Sequence, residues 1–323
     1  MRSRSWRFGG GAALGLTVIA AAAAVSTVAA QPRPTGTITR NTLAVKGMQR
    51  SFILYLPRTL KPNPPLLFVF HGSGGDGEEM RDATAYEFDA LADANGFLVV
   101  YPDGYENTWN DCRKGSPQPA RRMNIDDESF IEAMIAKEAA DHHADTKRVF
   151  AAGWSNGGQL GYRLALERAK EFAAVAAISA GLPTTDNLAC TPSGAAMPVM
   201  IINGTDDPIN PFKGGQVTLG FTSLGNVLSS EMTAQYFARL NGQTSMPAVA
   251  RLPHKKASDP TYVEEMSWTE AGKPGVVMYA VHGGGHVIPQ PYIEFPQSLG
   301  RTNGDLDAPK AIWDFFSKAA SRP

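Results

Sequence analysis

The stretch GWSNGG, Gly153 to Gly158, places Ser155 two residues from a glycine on each side. A serine hydroxyl is a poor nucleophile at neutral pH and becomes a good one only beside a base that takes its proton. The same spacing also occurs in ordinary glycine-rich turns, so the pattern alone is compatible with a turn serine. The role of Ser155 therefore depends on the element that carries it and on a histidine and a carboxylate within reach.

The base for such a serine is normally a histidine, and the chain has six. His142 and His143 end a helix at the wrong edge of the predicted sheet. His254 lies in a polar segment, and His71 ends an early strand. His282 and His286 both follow the last predicted strand. His286 stands after three glycines, which take loop conformations closed to other residues. We expect His286 to be the base and His282 to have a structural role.

The carboxylate that orients the histidine should follow the predicted strand PVMIING. The next residues offer Asp206 and Asp207, and the spacing alone does not choose between them. A tetrahedral oxyanion also needs two backbone N–H donors. We expect these from Asn156, which follows the serine, and from Ser73 in the loop HGSGGDG. That loop lacks the Lys-Ser/Thr ending of a phosphate-binding loop and the spacing of a dinucleotide fingerprint.

Strands and helices alternate along the chain and would bring these residues together. Continuous apolar runs predict strands at PLLFVFHG, FLVVYPDG, RVFAAG, AAVAAIS, PVMIING and GVVMYAV. Helices are predicted over 78–95, over 126–142, directly after Ser155, over 229–241 and over 309–319. Two further strands are predicted earlier in the chain, over 42–45 and over 50–57, and the second of them is expected at a sheet edge. This alternation predicts an α/β fold with a mostly parallel, doubly wound sheet and helices on both faces. Ser155 then lies at a strand-to-helix turn, where a nucleophile is favoured.

The first 30 residues have the pattern of a secretory signal peptide, with three arginines before an uncharged Ala/Gly-rich run that closes on Val28-Ala29-Ala30. We expect cleavage there, a linker over 31–40 and a single catalytic domain over 41–323; a retained anchor is the alternative. The protein would be secreted or periplasmic, with no membrane span after cleavage. Cleavage would remove three arginines and change the net charge of the protein from −1 to −4. A protein with this charge balance is not expected to have the basic surface that nucleic acid binding requires. The oligomeric state stays open.

Cys112 and Cys190 are the only cysteines. In an exported protein such a pair permits one disulfide bridge, and two buried free thiols are the alternative. Trp109, Trp154 and Phe212 flank the motifs and could line a pocket for an acyl or aryl group, or simply belong to the core. The sequence predicts neither a metal site nor a cofactor.

Several ordered motifs resemble those of the secreted α/β-hydrolase family of poly(3-hydroxybutyrate) depolymerases and related feruloyl and acetylxylan-type esterases: HGSGGDGEEM, YPDG, TWN, IDDESFI, RVFAAGWSNGGQLGYRLA, INGTDDPINPFKGGQV and YAVHGGGH. The resemblance runs from about residue 47 to the end of the chain. It implies an α/β-hydrolase fold, places the family's Gly-Thr-x-Asp pattern on Asp207 and places its Gly-Gly-Gly-His pattern on His286. The family often has an aromatic-Pro-Gly step after that histidine, where this chain has Val-Ile-Pro at 287–289.

The motifs and the resemblance together predict an exported serine carboxylesterase that works through an acyl-enzyme. Its expected substrates are small or oligomeric: hydroxybutyrate oligomers or polyester, or feruloyl and other aryl esters. A serine peptidase or an acyltransferase that uses the same catalytic triad of serine, histidine and aspartate is the alternative. A non-catalytic binding protein is disfavoured because all three positions of the triad are filled. The polymer-degrading relatives carry a separate polymer-binding module with no counterpart in this sequence, so we expect soluble esters to be preferred over crystalline polymer.

Overall fold

The computed structural model describes residues 33–320. The expected signal peptide, 1–30, lies outside the described residues, as do the first two residues of the expected linker. In chain order the described elements are β1 (Thr37–Val45), β2 (Met48–Leu56), β3 (Leu66–Phe70), α1 (Gly77–Ala83), α2 (Glu87–Asn95), β4 (Leu98–Pro102), α3 (Pro119–Arg122), α4 (Asp127–His142), β5 (Val149–Trp154), α5 (Asn156–Glu167), β6 (Ala174–Ile178), β7 (Val199–Gly204), β8 (Gly215–Leu219), β9 (Thr222–Val227), α6 (Ser230–Leu240), β10 (Ala248–Arg251), β11 (Tyr262–Trp268), β12 (Val276–His282), a 3-10 turn (Gln297–Leu299) and α7 (Ala308–Ala320).

Ten of these strands form one sheet in the order β1-β2-β4-β3-β5-β6-β7-β12-β11-β10. The six central strands of this order, β4-β3-β5-β6-β7-β12, run parallel to one another. Two antiparallel strands extend the sheet at each edge. Every residue of β3, β4 and β6 is buried, as expected for parallel strands that helices cover on both faces. The predicted α/β fold with a mostly parallel sheet is confirmed.

Two apolar layers pack on the two faces of the sheet. Helices α4, α5 and α6 cover one face with side chains such as Phe130, Leu160 and Phe237. Helices α1, α2 and α7 cover the other with side chains such as Phe88 and Trp313. Burying a side chain of this size stabilises the fold by about 1.5–3 kcal/mol. The two layers hold the parallel strands rigidly, so the loops at the carboxyl edge start from fixed positions.

Three element boundaries differ from the sequence expectations. Strand β1 starts at Thr37, so residues 37–40, expected in the linker, pair with β2 as far as Leu56. Strand β2, expected at the edge of the sheet, lies between β1 and β4, and β1 forms the edge. The helix expected over 78–95 is two helices, because Ala85 and Tyr86 have left-handed φ angles of 53° and 58° that interrupt it.

Four strands have no counterpart in the sequence prediction. Strands β8 and β9 form a separate hairpin, and β10 and β11 extend the sheet next to β12. All four residues of β10 are exposed, and β8 and β9 each contain only one or two buried residues. Such strands lack the apolar runs from which the others were predicted. None of the helices formed within 33–320 is long and apolar enough to cross a membrane.

Candidate active site

Ser155 lies in the tight turn between β5 and α5. Its φ of 56° and ψ of −116° are rarely adopted by a residue with a side chain. A Cβ on Gly153 would lie 2.2 Å from the carbonyl oxygen of Gly157, and one on Gly157 would lie 2.4 Å from that of Phe70. Only glycine fits at both positions, because the strand and the helix approach each other so closely. This close approach holds the Ser155 side chain at the carboxyl edge of the sheet.

His286 and Asp207 lie on loops that follow the neighbouring parallel strands β12 and β7. His286 Nε2 is 2.9 Å from Ser155 Oγ, and His286 Nδ1 is 2.8 Å from Asp207 Oδ2. The side chains of His286 and Asp207 are 4% and 0% exposed. Because a carboxylate only accepts hydrogen bonds, Nδ1 carries the imidazole hydrogen. Nε2 is therefore the nitrogen that can take a proton from Ser155.

Close backbone contacts fix the histidine loop against the end of β7. A Cβ on Gly204 would lie 2.3 Å from the carbonyl oxygen of Gly284 and 2.4 Å from that of Gly285. The backbone N–H of His286 donates to the Leu299 carbonyl at 2.6 Å. The glycines before His286 thus allow a close approach between loops as well as a turn.

Asp206 and Asp207 have different surroundings. Asp207 Oδ1 accepts hydrogen bonds from the backbone N–H groups of Ile209 and Asn210, each at 2.8 Å, which leaves Oδ2 for His286. Asp206 is exposed, and its carboxylate accepts a hydrogen bond from the Thr205 hydroxyl at 3.0 Å. The structure therefore brings Asp207, and not Asp206, to the histidine.

The loop after β3 and the first residue of α5 lie beside Ser155. The N–H of Gly74 donates to the Asn107 carbonyl at 2.8 Å, and the N–H of Gly75 donates to the Gly72 carbonyl at 3.2 Å. Within the described residues, the N–H groups of Ser73 and Asn156 donate to no other protein group. Both are free to bind an anion, and the N-terminus of α5 adds a positive partial charge at Asn156.

His71 anchors this loop from behind. Its Nδ1 donates to the Gly72 carbonyl at 2.7 Å, and its Nε2 accepts the Gly104 N–H at 2.9 Å. Burial lowers the pKa of His71 to about 4, so the imidazole is neutral at pH 7 and can accept that hydrogen. Trp109, one of the candidates for either pocket or core, is fully buried behind His71 and donates its indole N–H to the His71 carbonyl at 3.0 Å. It is a core residue.

A largely apolar cleft opens above Ser155, with about 1000 Å³ of space including the solvent at its mouth. Trp154 lines it, with its ring 5.8 Å from that of His286 and 5.6 Å from that of Phe295. Phe212, for which the sequence left pocket and core open, packs on the α4–α6 side of the core. The hairpin that the sequence did not predict covers the cleft with Val217, Leu219 and Leu224.

Polar residues beyond the predicted site also line the cleft or support its loops. Arg113 lines the cleft and pairs with buried Asp111 at 2.5 Å. The Arg113 guanidinium also donates to Gln118 at 3.3 Å, and the Gln118 amide donates to the Ser73 hydroxyl. This chain of hydrogen bonds ties the Ser73 loop to the segment after β4. Gln159 and Asn210 line the cleft as well. No sequence signal distinguished these residues from other polar residues.

Cys112 and Cys190 form a disulfide bridge, with their Cα atoms 5.1 Å apart. Cys112 is buried between Asp111 and Arg113 in the chain, and Asp111 accepts a hydrogen bond from the side-chain amide of Asn156 at 2.7 Å. The bridge therefore braces a segment that contacts the start of α5 without contacting the triad.

Two further histidines have partners outside the cleft. His282 Nε2 lies 2.8 Å from Glu264, and its ring stacks on Tyr262. His254 Nδ1 lies 2.8 Å from Asp305. Across residues 33–320, no group of three or more His, Cys, Asp or Glu side chains is arranged to hold a metal ion.

Comparison with known proteins identifies the family. Residues 50–244, more than half of the chain, match the profile of the family described as esterase PHB depolymerase. NocK of Nocardia uniformis subsp. tsuyamanensis, a protein named as an esterase, is 29% identical over 298 residues, which are 88% of this chain and 84% of NocK. Feruloyl esterase C of Emericella nidulans is 30% identical over 196 residues, which are 59% of this chain and 66% of that protein.

A solved structure shares the fold. The acetyl xylan esterase from Aspergillus awamori superposes with a TM-score of 0.55 at 16% sequence identity, covering 78% of this chain and 95% of that one. The architecture is that of the α/β-hydrolases. The chain belongs to the esterase family of PHB depolymerases and is a hydrolase of carboxylic ester bonds.

Proposed function

We propose that this esterase is a serine carboxylesterase in which Ser155 is the nucleophile, His286 the general base and Asp207 the carboxylate that orients His286. One observation carries the proposal: Ser155 Oγ, the two nitrogens of His286 and Asp207 Oδ2 form an unbroken series of contacts at 2.9 and 2.8 Å. Both distances are within hydrogen-bonding range, as a nucleophile and its base require.

Acylation follows from this arrangement. His286 Nε2 takes the Ser155 proton while Oγ attacks the ester carbonyl carbon, and the carbonyl electrons move onto oxygen. The oxyanion binds the free N–H groups of Ser73 and Asn156. The carbonyl then re-forms, the ester C–O bond breaks, and the imidazolium gives its proton to the departing alkoxide. An alcohol leaves, and Ser155 carries the acyl group.

Deacylation repeats the steps with water. His286 takes a proton from a water molecule whose oxygen attacks the acyl carbon, and the oxyanion binds the same two N–H groups. Collapse breaks the bond to Ser155 Oγ, which regains its proton from the imidazolium, and the carboxylic acid leaves. In both halves the buried carboxylate of Asp207 stabilises the imidazolium.

We propose soluble esters with small or aryl acyl groups as substrates. The cleft is largely apolar, and the rings of Trp154 and Phe295 offer flat surfaces against which a planar acyl group packs well. Relatives are named for feruloyl and acetyl xylan esters, and the family for PHB. Short-chain p-nitrophenyl esters should be hydrolysed, together with methyl ferulate or hydroxybutyrate oligomers, whereas crystalline polymer granules should clear weakly. Efficient clearing of granules by this chain would contradict the ranking.

We also propose that the protein is exported, with one catalytic domain left after removal of residues 1–30. The disulfide supports this proposal, because such bonds persist in oxidising compartments. N-terminal sequencing of protein recovered from the periplasm or medium should begin at Gln31. Recovery of intact precursor from the membrane would favour a retained anchor.

The test of the mechanism is Ser155→Ala, with Ser298→Ala, an exposed serine at the cleft, as the matched control. Without the hydroxyl the covalent route is lost, so kcat/KM on p-nitrophenyl acetate should fall by a factor on the order of 10⁴ or more. The control should keep its activity, both variants should keep the wild-type circular dichroism, and a phosphonate should label only Ser155.

A Ser155→Ala variant that retains a tenth of the wild-type rate would exclude this nucleophile. Faster cleavage of amides than of esters with matched side chains would move the protein to the peptidases.

A further inference from the structure

A residue in the wall of the cleft, one helical turn after the nucleophile, carries a buried, unpaired oxygen. Gln159 lines the cleft and is 2% exposed. Its Nε2 donates to the Gly181 carbonyl at 2.7 Å. Because a carbonyl only accepts hydrogen bonds, this contact fixes which end of the amide is the nitrogen, and the opposite end is the oxygen Oε1. Within the described part of the chain, this buried Oε1 has no hydrogen-bond partner.

Asn210, in the wall of the same cleft, has a second unpaired oxygen. It is 3% exposed, and its backbone N–H donates to Asp207 Oδ1, which places it beside the triad carboxylate. Its Oδ1 is also buried with no partner among residues 33–320. Ile209 and Val217, which also line the cleft, are apolar, and their side chains have no hydrogen-bonding group.

The chemistry of these atoms restricts what can bind them. Buried amide oxygens are normally hydrogen-bonded, and unpaired ones at a functional site are filled by a ligand or by water. An amide oxygen only accepts, so its partner must be an O–H or N–H donor. A carboxylate or phosphate would place negative charge against the oxygens, and an alkyl group would leave them unpaired.

We propose that Gln159 and Asn210 form a subsite for a hydroxyl group of the ester substrate, so that the enzyme prefers hydroxylated esters to their deoxy analogues. This inference rests on the proposed function. A site that bonds a substrate hydroxyl discriminates strongly against the analogue without it, because the polar groups of the site would then stay unpaired. The hydroxyl can belong to the acyl or to the alcohol part of the ester, and the experiment separates the two.

Two matched pairs of esters provide the measurement. Methyl 3-hydroxybutyrate and methyl butyrate differ by a hydroxyl in the acyl part; 3-hydroxybutyl acetate and butyl acetate differ by one in the alcohol part. The wild-type enzyme should prefer the hydroxylated member of at least one pair by about tenfold or more in kcat/KM. Rates are corrected for the intrinsic reactivity of each ester in alkali.

Gln159→Met is the test variant, because methionine keeps the length of the side chain and removes the amide. It should reduce the preference to below about threefold by slowing hydrolysis of the hydroxylated ester more than hydrolysis of its deoxy analogue. Asn210→Leu should act in the same direction, and the Oδ1 atom that it removes makes no hydrogen bond that the fold would lose. If Gln159→Met folds poorly, Asn210→Leu provides the same comparison of hydroxylated and deoxy esters.

Gln290→Met is the matched control. Gln290 is also 2% exposed, donates its Nε2 to a backbone carbonyl at 2.6 Å and has an unpaired Oε1, but it does not line the cleft. Its replacement should leave the preference unchanged. A wild-type enzyme with no preference in either pair, or a Gln159→Met variant that slows both members equally, would overturn the subsite. Failure of the proposed function would look different: none of the four esters would be hydrolysed, and phosphonate would not label Ser155.

Discussion

At the scale of single residues, the two adjacent carboxylates near the histidine differ in what surrounds them. Asp207 is buried and divides its oxygens between His286 and two backbone N–H groups. Asp206 is exposed, so water screens its charge. A buried carboxylate in contact with Nδ1 both selects the tautomer of the imidazole and stabilises the imidazolium. Only Asp207 has that contact.

Replacing each of the two carboxylates should therefore have very different effects. Asp207→Asn should lower kcat by about 10³- to 10⁴-fold, because an amide N–H facing Nδ1 favours the wrong tautomer. Asp206→Asn is the matched control and should change kcat by less than about threefold. Initial rates on p-nitrophenyl acetate at pH 7 compare the two. A larger loss in Asp206→Asn would transfer the role to Asp206.

The sequence was informative for residues whose local pattern reports their position. Ser155 and His286 were selected because glycines surround them at the ends of predicted strands, and the structure places them in contact. Asp207 needed the family resemblance, since its burial depends on backbone donors that spacing does not reveal. For Trp109 and Phe212 the sequence leaves pocket and core open, because proximity to a motif does not say on which side of the loop a ring packs. The structure places both in the core.

At the scale of elements, the turn between β5 and α5 depends on the absence of side chains at its glycines. A Cβ on Gly153 would meet a backbone oxygen, which cannot rotate away as a side chain could. The strand and helix would have to separate, and Ser155 would move with the turn.

Gly153→Ala should accordingly be destabilising and inactivating. We expect a loss of about 1–3 kcal/mol in the free energy of unfolding from overpacking, with kcat/KM down by at least about tenfold because Ser155 shifts from His286. Gly161→Ala, within α5, is the control: its Cβ would lie 3.2 Å from the Val175 side chain and at an ordinary 3.8 Å from the Ala176 carbonyl oxygen, and alanine favours the helix. Urea unfolding and ester hydrolysis measure both variants. Equal stability of the two would show that the turn tolerates a side chain.

The elements that the sequence predicted well are those with a buried face. The central strands have continuous apolar runs and were placed to within a few residues. Hairpin β8–β9 was missed because its residues are half-exposed, although it supplies Val217 and Leu224 to the cleft. The break at Ala85 and Tyr86 was missed because neither residue type is a usual helix terminator.

At the scale of the whole molecule, the disulfide crosslinks positions 78 residues apart. It restricts the unfolded chain, which should stabilise the fold by up to about 4 kcal/mol. The double variant Cys112→Ser/Cys190→Ser should therefore have a lower Tm, with kcat/KM at 25 °C within about threefold of wild type, because the bridge does not contact the triad. Calorimetry and esterase rates test this. An unchanged Tm with lost activity would show that the bridge positions the Asp111 segment for catalysis.

A second global property, the dependence of stability on pH, should follow from the contact between α2 and α7. Glu87 is 5% exposed at the start of α2, and its Oε2 is buried without a partner among the described residues. Burial, and then the neighbouring carboxylate of Asp307, hold the pKa of Glu87 well above its usual value of 4.5. The folded protein therefore binds a proton that the unfolded chain releases.

The stability gained from that proton is fully present below pH 4.5 and is lost as the pH rises through the raised pKa of Glu87. The wild-type Tm should fall between pH 5 and pH 9, and Glu87→Gln should fall less steeply, because an amide is neutral throughout. Glu231→Gln, at an exposed site on α6, controls for the loss of a carboxylate and should follow the wild type. Parallel curves for Glu87→Gln and the wild type would mean that Glu87 is ionised in the folded protein and that α2 and α7 separate enough to hydrate it.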